Sequence, residues 1–243
     1  MITNKTILIT GGSSGIGKAT VKLFLKNNNK VIVIDKKPSN TKENNLHFFK
    51  ADLSKKNLIK PLLKKIYKTI NKIDILVLNA GICPMREFLK IDEKIFDQVV
   101  NTNQKSVFFL AQEIAKGMVD KKVKGKIIFI SSVSSIFGGS LQAHYCATKG
   151  AVNQIMKSMA ISLGQYGINV NAVLPGTIIT NLNKKQLEQN PKLKKYFISR
   201  TPLNRLVFPE EIANSIFFLS SDMSSGVNGE CLVVDGGMSI NLQ

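Results

Sequence analysis

Arginine is almost missing from this chain. Only Arg86, Arg200 and Arg205 occur, so lysine carries nearly all of a formal net charge of +18. Guanidinium groups are the usual bidentate readers of bases and phosphates. The lysines are spread over every segment, as in Lys55-Lys56, Lys121-Lys122 and Lys194-Lys195. The charge therefore reads as a solvated surface, and no nucleic-acid partner is expected. Cysteine is equally scarce: Cys83, Cys146 and Cys231 are odd in number and widely spaced, with no C-x-x-C pair. That excludes a disulfide framework and points to a reduced, cytoplasmic protein. The two histidines, His47 beside Phe48-Phe49 and His144, are too far apart in sequence to suggest a metal site, and none is expected. No apolar run reaches the roughly 18 to 20 residues that a membrane-spanning helix needs. A β-like run begins at residue 6, which leaves no room for a signal peptide, so neither secretion nor a membrane partner is expected.

What is present is a soluble globular composition, 44% hydrophobic over 243 residues. This is enough for one α/β domain with a buried sheet. Short apolar runs at 6–10, 31–35, 47–51, 75–79, 126–131, 169–174 and 231–234 alternate with stretches of helical spacing. Those stretches are 16–26, 58–70, 93–104, 107–119, 144–165 and 210–219. Alternation of this kind predicts βαβ units, right-handed crossovers and a doubly wound, seven-stranded parallel sheet of the Rossmann kind. The one long irregular stretch, 175–209, predicts a lid or binding loop over about 176–208 within the single domain 1–243.

Directly after the first predicted strand comes Thr10-Gly11-Gly12-Ser13-Ser14-Gly15-Ile16-Gly17, and then a helix. Glycines there let backbone approach a pyrophosphate lying on the helix N-terminus. Asp35 closes the second strand, where a carboxylate accepts hydrogen bonds from ribose hydroxyls and repels a 2′-phosphate. NAD is favoured over NADP on that ground. Lys36-Lys37 argue the other way, since they could partly neutralise a phosphate.

Tyr145 and Lys149 stand four residues apart on one predicted helix face, so an ammonium can lie near a phenol. A free tyrosine, with a pKa of about 10, is a poor base at neutrality; a neighbouring cation, with an oxidised nicotinamide adding positive charge, favours the phenolate. Ser132 lies at a strand end, thirteen residues before Tyr145, with Ser131 as the competing hydroxyl. A strand end is where an open α/β sheet places ligand groups.

Taken in order, the glycine motif, Asp52, Asn79-Ala80-Gly81, Asn103, Ser131-Ser132, Tyr145-x-x-x-Lys149, Pro175-Gly176 and Val234-Asp235-Gly236-Gly237 resemble the short-chain dehydrogenase/reductase family along the whole chain. The resemblance implies hydride transfer between a nicotinamide cofactor and a small alcohol or carbonyl. Tyr145 would be the acid/base, Lys149 would hold the nicotinamide ribose, Ser132 would polarise the substrate oxygen, and Asn103 would shape a proton path. Ser106, where many relatives have glycine, is a mild departure beside that path. It further implies cofactor contacts from Gly11, Ser13, Ser14, Gly15, Ile16, Gly17, Asp35, Asp52, Leu53, Asn79, Ala80, Gly81, Tyr145, Lys149, Pro175, Gly176, Ile178 and Thr180. Ser14 stands where NADP-dependent relatives often carry a basic residue, which again favours NAD. A homotetramer is expected on the same resemblance.

For the substrate, polar residues Ser132, Ser134, Gln142, His144 and Asn183, with residues 83–86, suit a polyhydroxylated ligand. The stretch 174–183 and the ending Asn241-Leu242-Gln243 resemble the aldose 1-dehydrogenase branch, L-rhamnose 1-dehydrogenases in particular. Two alternatives stand beside this. One is a 3-oxoacyl carrier-protein reductase, disfavoured by Val123 and Tyr166 where such enzymes present arginines; the other is a non-catalytic NAD-binding scaffold.

Overall fold

The computed structural model describes residues 2–38, 43–180 and 184–241. Seven strands, β1 (Thr6–Thr10), β2 (Lys30–Asp35), β3 (Leu46–Lys50), β4 (Ile75–Leu78), β5 (Lys126–Ile130), β6 (Asn169–Pro175) and β7 (Cys231–Val234), form one parallel sheet in the order β3-β2-β1-β4-β5-β6-β7. Each lies within a residue of its predicted place. The order reverses between β1 and β4, so a crevice opens above their carboxyl ends.

The central strands read as continuous apolar runs because both faces of the sheet are covered. Alternate residues serve different cores, as a period of two requires. Leu8, Ile32, Leu76, Ile127 and Phe129 pack into one. Ile7, Ile9, Val31, Val33, Ile75 and Ile128 pack into the other. The first core is closed by α2 (Ile59–Tyr67), α4 (Ser106–Asp120) and α5 (Ala143–Gly164), and the second by α1 (Gly15–Lys26) and α8 (Pro209–Leu219).

Two features depart from the sequence reading. The helix α3 (Glu93–Val100) runs into α4 through a π-helical turn, Asn101–Lys105, instead of ending before a separate helix. Ser106 lies at its end, with Oγ donating to the Thr102 carbonyl at 2.6 Å. The stretch 175–209 is not irregular throughout: α6 (Lys184–Gln189) and α7 (Pro191–Ser199) occupy it. Asn190 caps α7 by accepting from the Leu193 amide, and Pro191 fits the first turn, a start signal that was present in the sequence.

Among the described residues, no helix is long and apolar enough to cross a membrane, no cluster of three metal-ligating side chains occurs, and the three cysteines are free thiols.

Candidate active site

All the sequence motifs arrive at the carboxyl edge of the sheet. At the end of β1, Thr10 Oγ1 accepts from the Asn79 and Ala80 amides, each at 3.0 Å. Asn79 Nδ2 returns hydrogen bonds to the Thr10 and Gly11 carbonyls, also at 3.0 Å. These four bonds staple the end of β4 onto the glycine turn. Thr10 is the residue that sequence reasoning undervalued; its place as the last residue of β1 was the available signal. Only glycine fits at 17, because a Cβ there would lie 2.2 Å from the Gly11 carbonyl oxygen. Gly15 opens α1 at φ +52, a left-handed conformation that glycine adopts without strain.

Ser14 stands at the α1 N-cap in extended conformation and makes no capping bond with its side chain. The first-turn amides of a twelve-residue helix are thereby left to another acceptor, which is what a pyrophosphate supplies. Asp35 Oδ2 accepts from the Ser13 amide and Oδ1 from the Lys37 amide, both at 3.1 Å, while Ser13 Oγ donates to the Lys37 carbonyl at 2.6 Å. The carboxylate is thus fixed beside the glycine turn. Of the two cations that could have met a phosphate, Lys36 is paired with Asp52 at 3.0 Å and Lys37 is exposed. Burial pushes the Asp52 pKa up, but Ser54 and Lys36 outweigh it and leave the group below its ordinary value. Leu53 beside it is buried. This cradle, with Asp35 and Asp52 on its far wall, fits a dinucleotide.

Across the crevice lies the reacting end. Ser132, at the exit of β5, is buried; its Oγ accepts from the Ser134 amide at 3.1 Å and lies close enough to the Tyr145 phenol to act on its pKa. The competing hydroxyl of Ser131 is turned away, toward the Lys149 carbonyl at 3.3 Å. Tyr145 as a residue is partly exposed, yet its phenol end is deep among protein atoms. Burial pushes the phenol above its ordinary pKa, Cys83 and Cys146 add to the rise, and the Ser132 hydroxyl opposes it. Lys149 is 5% exposed, and burial brings its pKa down to about 8. Its Nζ donates to the Ile130 carbonyl at 2.7 Å and lies 5.5 Å from the Tyr145 ring centre. The lowering of the tyrosine pKa expected from Lys149 together with the oxidised nicotinamide is thus not supplied by Lys149 by itself. A lysine whose own charge is disfavoured by burial, and whose proton is aimed at a carbonyl, does not overcome desolvation of the phenol.

Asn103 occupies the middle of the π turn, a backbone form that recurs at functional sites. Its Oδ1 accepts from the Ile82 amide at 2.9 Å, and its Nδ2 donates to the Ile82 carbonyl at 2.8 Å and to Thr148 Oγ1 at 3.4 Å. It locks the segment after Gly81 against the first turns of α5. A Cβ on Gly81 would come within 3.4 Å of Asn103 Oδ1 and 3.8 Å of Lys149 Nζ, so Gly81 borders this cluster. Cys83, its thiol pushed to about 11 by burial and then by Cys146, is the neighbour whose influence reaches both Tyr145 and Lys149.

Of the predicted substrate residues, Ser134 and Gln142 come together: Ser134 Oγ donates to Gln142 Oε1 at 3.2 Å, and Gln142 Nε2 points to Met85 Sδ at 3.4 Å. His144 is placed elsewhere. It is 2% exposed, neither ring nitrogen has a partner, and it lines a groove with Phe88, Ile91, Phe96 and Ala147 between α3 and α5. Asn183 lies outside the described residues. Pro175-Gly176 borders Asp235, and Thr180 meets Gly15, so the start of the 175–209 stretch touches the cofactor cradle. Ile178 is buried in the second core and its backbone bridges Val207, so its side chain is packed into the protein.

A family model described as enoyl-(acyl carrier protein) reductase matches residues 11–239. The chain belongs to the short-chain dehydrogenase/reductase family. It is 40% identical to the L-rhamnose 1-dehydrogenase (NADP(+)) of Thermoplasma acidophilum, over 98% of both chains. It is 38% identical to the L-rhamnose-1-dehydrogenase of Scheffersomyces stipitis, over 100% of this chain and 99% of the other. It is also 37% identical to the 3-oxoacyl-[acyl-carrier-protein] reductase FabG of Thermotoga maritima, over 97% of this chain and 98% of that one. Among solved structures, 4-hydroxyisoleucine dehydrogenase complexed with NADH superimposes with a TM-score of 0.93 at 32% identity, covering 98% of this chain and 99% of that one. This short-chain dehydrogenase is thus an oxidoreductase of CH–OH groups with a nicotinamide cofactor, on the Rossmann sheet anticipated from its sequence.

Proposed function

We propose that this enzyme oxidises the anomeric hydroxyl of an aldose to the lactone, with NAD as the preferred acceptor and Tyr145 as the proton acceptor. The observation that carries this reading is the buried Lys149, its Nζ 5.5 Å from the Tyr145 ring centre, with Ser132 and the polar pair Ser134 and Gln142 beside them. When bound, the cofactor supplies the hydride acceptor. Lys149 and Tyr145 would hold its nicotinamide ribose, Asn79, Ala80 and Asp52 its adenosine half, and Asp35 its free ribose hydroxyls. Ser132 would hold the substrate oxygen, Tyr145 would take its proton, and residues 176–208 would cover the sugar as a lid. Asn103 would keep Lys149 connected to solvent protons by fixing the Ile82 backbone.

The names of the two rhamnose dehydrogenases support the sugar. The NAD preference rests on this chain's own Asp35 and on the pairing of Lys36 with Asp52, and it stands against the NADP(+) in the name of one relative. The reductase similarity favours a second reading, reduction of a 3-oxoacyl thioester on an acidic carrier. It lacks the arginines for that carrier: Val123 is buried, and exposed Tyr166 offers no charge. A scaffold without turnover has no need to keep Ser132, Tyr145, Lys149 and Asn103 together, with the lysine buried.

A screen of purified protein with NAD and NADP against aldoses, polyols and acetoacetyl thioesters, followed by absorbance of the reduced nicotinamide, tests the proposal. L-rhamnose oxidation with NAD is expected. Acetoacetyl-thioester reduction with NADPH and no sugar oxidation would overturn both the substrate and the cofactor reading.

We further propose a cytoplasmic homotetramer. Exposed apolar side chains on two groups of elements support it, Phe96, Phe108 and Ile161 on α3 to α5, and Phe218, Met223 and Val233 around α8 and β7. Light scattering should give four times the chain mass; a monomer at micromolar concentration contradicts it.

A further inference from the structure

The chain after β7 is wedged between the two ends of the proposed lid, the loop that follows β6 and the residues that follow α7. On one side it meets Gly176, where a Cβ would stand 2.6 Å from Asp235 Cβ, and Thr177 Oγ1 reaches Met238 Sδ at 3.7 Å. On the other it meets the residues that follow α7. Gly236, at φ +70, leaves only 2.7 Å between a notional Cβ and Thr201 Cγ2, and the Leu203 amide donates to the Gly236 carbonyl at 3.3 Å. Between the two contacts the turn is held rigid by one carboxylate: Asp235, 6% exposed, accepts from the Gly237 amide at 2.8 Å and the Ser239 amide at 2.6 Å.

The turn ends in a two-way clasp. Arg200 Nη2 donates to the Asn241 carbonyl at 3.3 Å, and Asn241 Nδ2 donates back to the Arg200 carbonyl at 3.2 Å. Arg200 also donates to the Tyr196 hydroxyl one turn earlier in α7, at 3.3 Å, with its guanidinium 5.8 Å from that ring centre. One of the chain's three arginines is therefore spent joining α7 to residue 241. Nothing in the proton-transfer cluster needs it there.

We infer that the Arg200–Asn241 clasp seats α7, in the far half of the lid, on the C-terminal turn and, through Asp235 and Gly176, couples it to the first residues of the lid beside the cofactor. Arg200 and Asn241 are then positioning residues for the substrate, acting through the lid. Order in one contact face of this turn is order in the other, because Asp235 leaves no slack between them. The inference rests on residues 176–208 being the lid of the proposed sugar dehydrogenase.

Trypsin reads the lid without reference to any substrate, since Lys192, Lys194 and Lys195 in α7 are exposed. Asn241→Ala keeps every tryptic site and removes half the clasp; Arg200→Ala removes the other half. In the unaltered enzyme, saturating NAD should slow nicking within α7 by about threefold or more, and in Asn241→Ala this protection should be lost while the NAD Kd stays within about twofold. The KM for L-rhamnose should rise about tenfold in both variants with kcat within about twofold, the split expected when binding geometry alone is disturbed. Equal NAD protection in the unaltered enzyme and in Asn241→Ala overturns the coupling. Lost protection with an unmoved KM overturns the positioning role. Failure of the unaltered enzyme to oxidise L-rhamnose sinks the sugar reading instead, and the proteolysis comparison then decides the clasp by itself.

Discussion

Tyr145→Phe should lower kcat for alcohol oxidation by about 10²- to 10⁴-fold, the range spanned by a positioned general acid or base. The NAD Kd should change by less than about threefold, because the ring that packs against the cleft is kept. The fold should survive: Ser132 Oγ retains the Ser134 amide as a donor, so no buried group is orphaned. The pH profile sharpens the test. Burial, aided by Cys83 and Cys146, holds the phenol above its ordinary pKa, so the protein's own groups keep Tyr145 protonated at neutrality. Oxidation, which needs the phenolate, should therefore accelerate from neutral toward alkaline pH in the unaltered enzyme, and the residual rate of the phenylalanine variant should not follow it. An unchanged kcat in Tyr145→Phe would remove Tyr145 from the mechanism, whatever the substrate proves to be.

The parts of this site that were legible in the sequence are those fixed by local chemistry. Strand ends carry the ligand groups of an open α/β sheet, so Asp35, Ser132 and Pro175 could be placed once the apolar runs had been found. Glycine at 17 could be read because nothing else fits a turn that tight. Less legible were features that depend on long-range packing. The π turn at Asn101–Lys105 leaves no signature in hydrophobic period, since α3 and α4 are both amphipathic and the extra residue alters only their phase. α6 and α7 were hidden by their shortness, six and nine residues, and by shallow packing; α7 buries no residue fully, so its pattern looks like a loop. His144 shows a different limit: the residue before a cleft tyrosine on a helix is rotated about 100° from it, and here that rotation carries it to the groove against α3.

Lys149 gives the other large effect, and there activity and stability part company. Lys149→Met should abolish turnover, by about 10²-fold or more, since the proposed role needs a cation at the nicotinamide ribose and a proton donor in the relay. Measured without added cofactor, the same variant should be more stable than the unaltered protein at pH 7. The sign follows from the folded pKa of about 8, brought down by burial, against about 10.4 unfolded. Between those values the unfolded chain binds more protons than the folded one, so the unaltered protein gains stability as pH rises through this window. Below it the buried ammonium costs about 3 kcal/mol. Methionine removes that cost but leaves the Ile130 carbonyl without its donor, a loss of about 1 to 3 kcal/mol. The net gain at pH 7 is thus about 0 to 2 kcal/mol, or up to about 6 °C in Tm for a chain of this length. By pH 10 to 11, where Lys149 is neutral in the folded state and about half so in the unfolded one, the advantage should vanish or reverse. Thermal melts of both proteins across pH 7 to 10.5 check this. A methionine variant that is several degrees less stable at pH 7, and no worse at pH 10, would show that the ammonium is stabilised by its surroundings rather than strained by them.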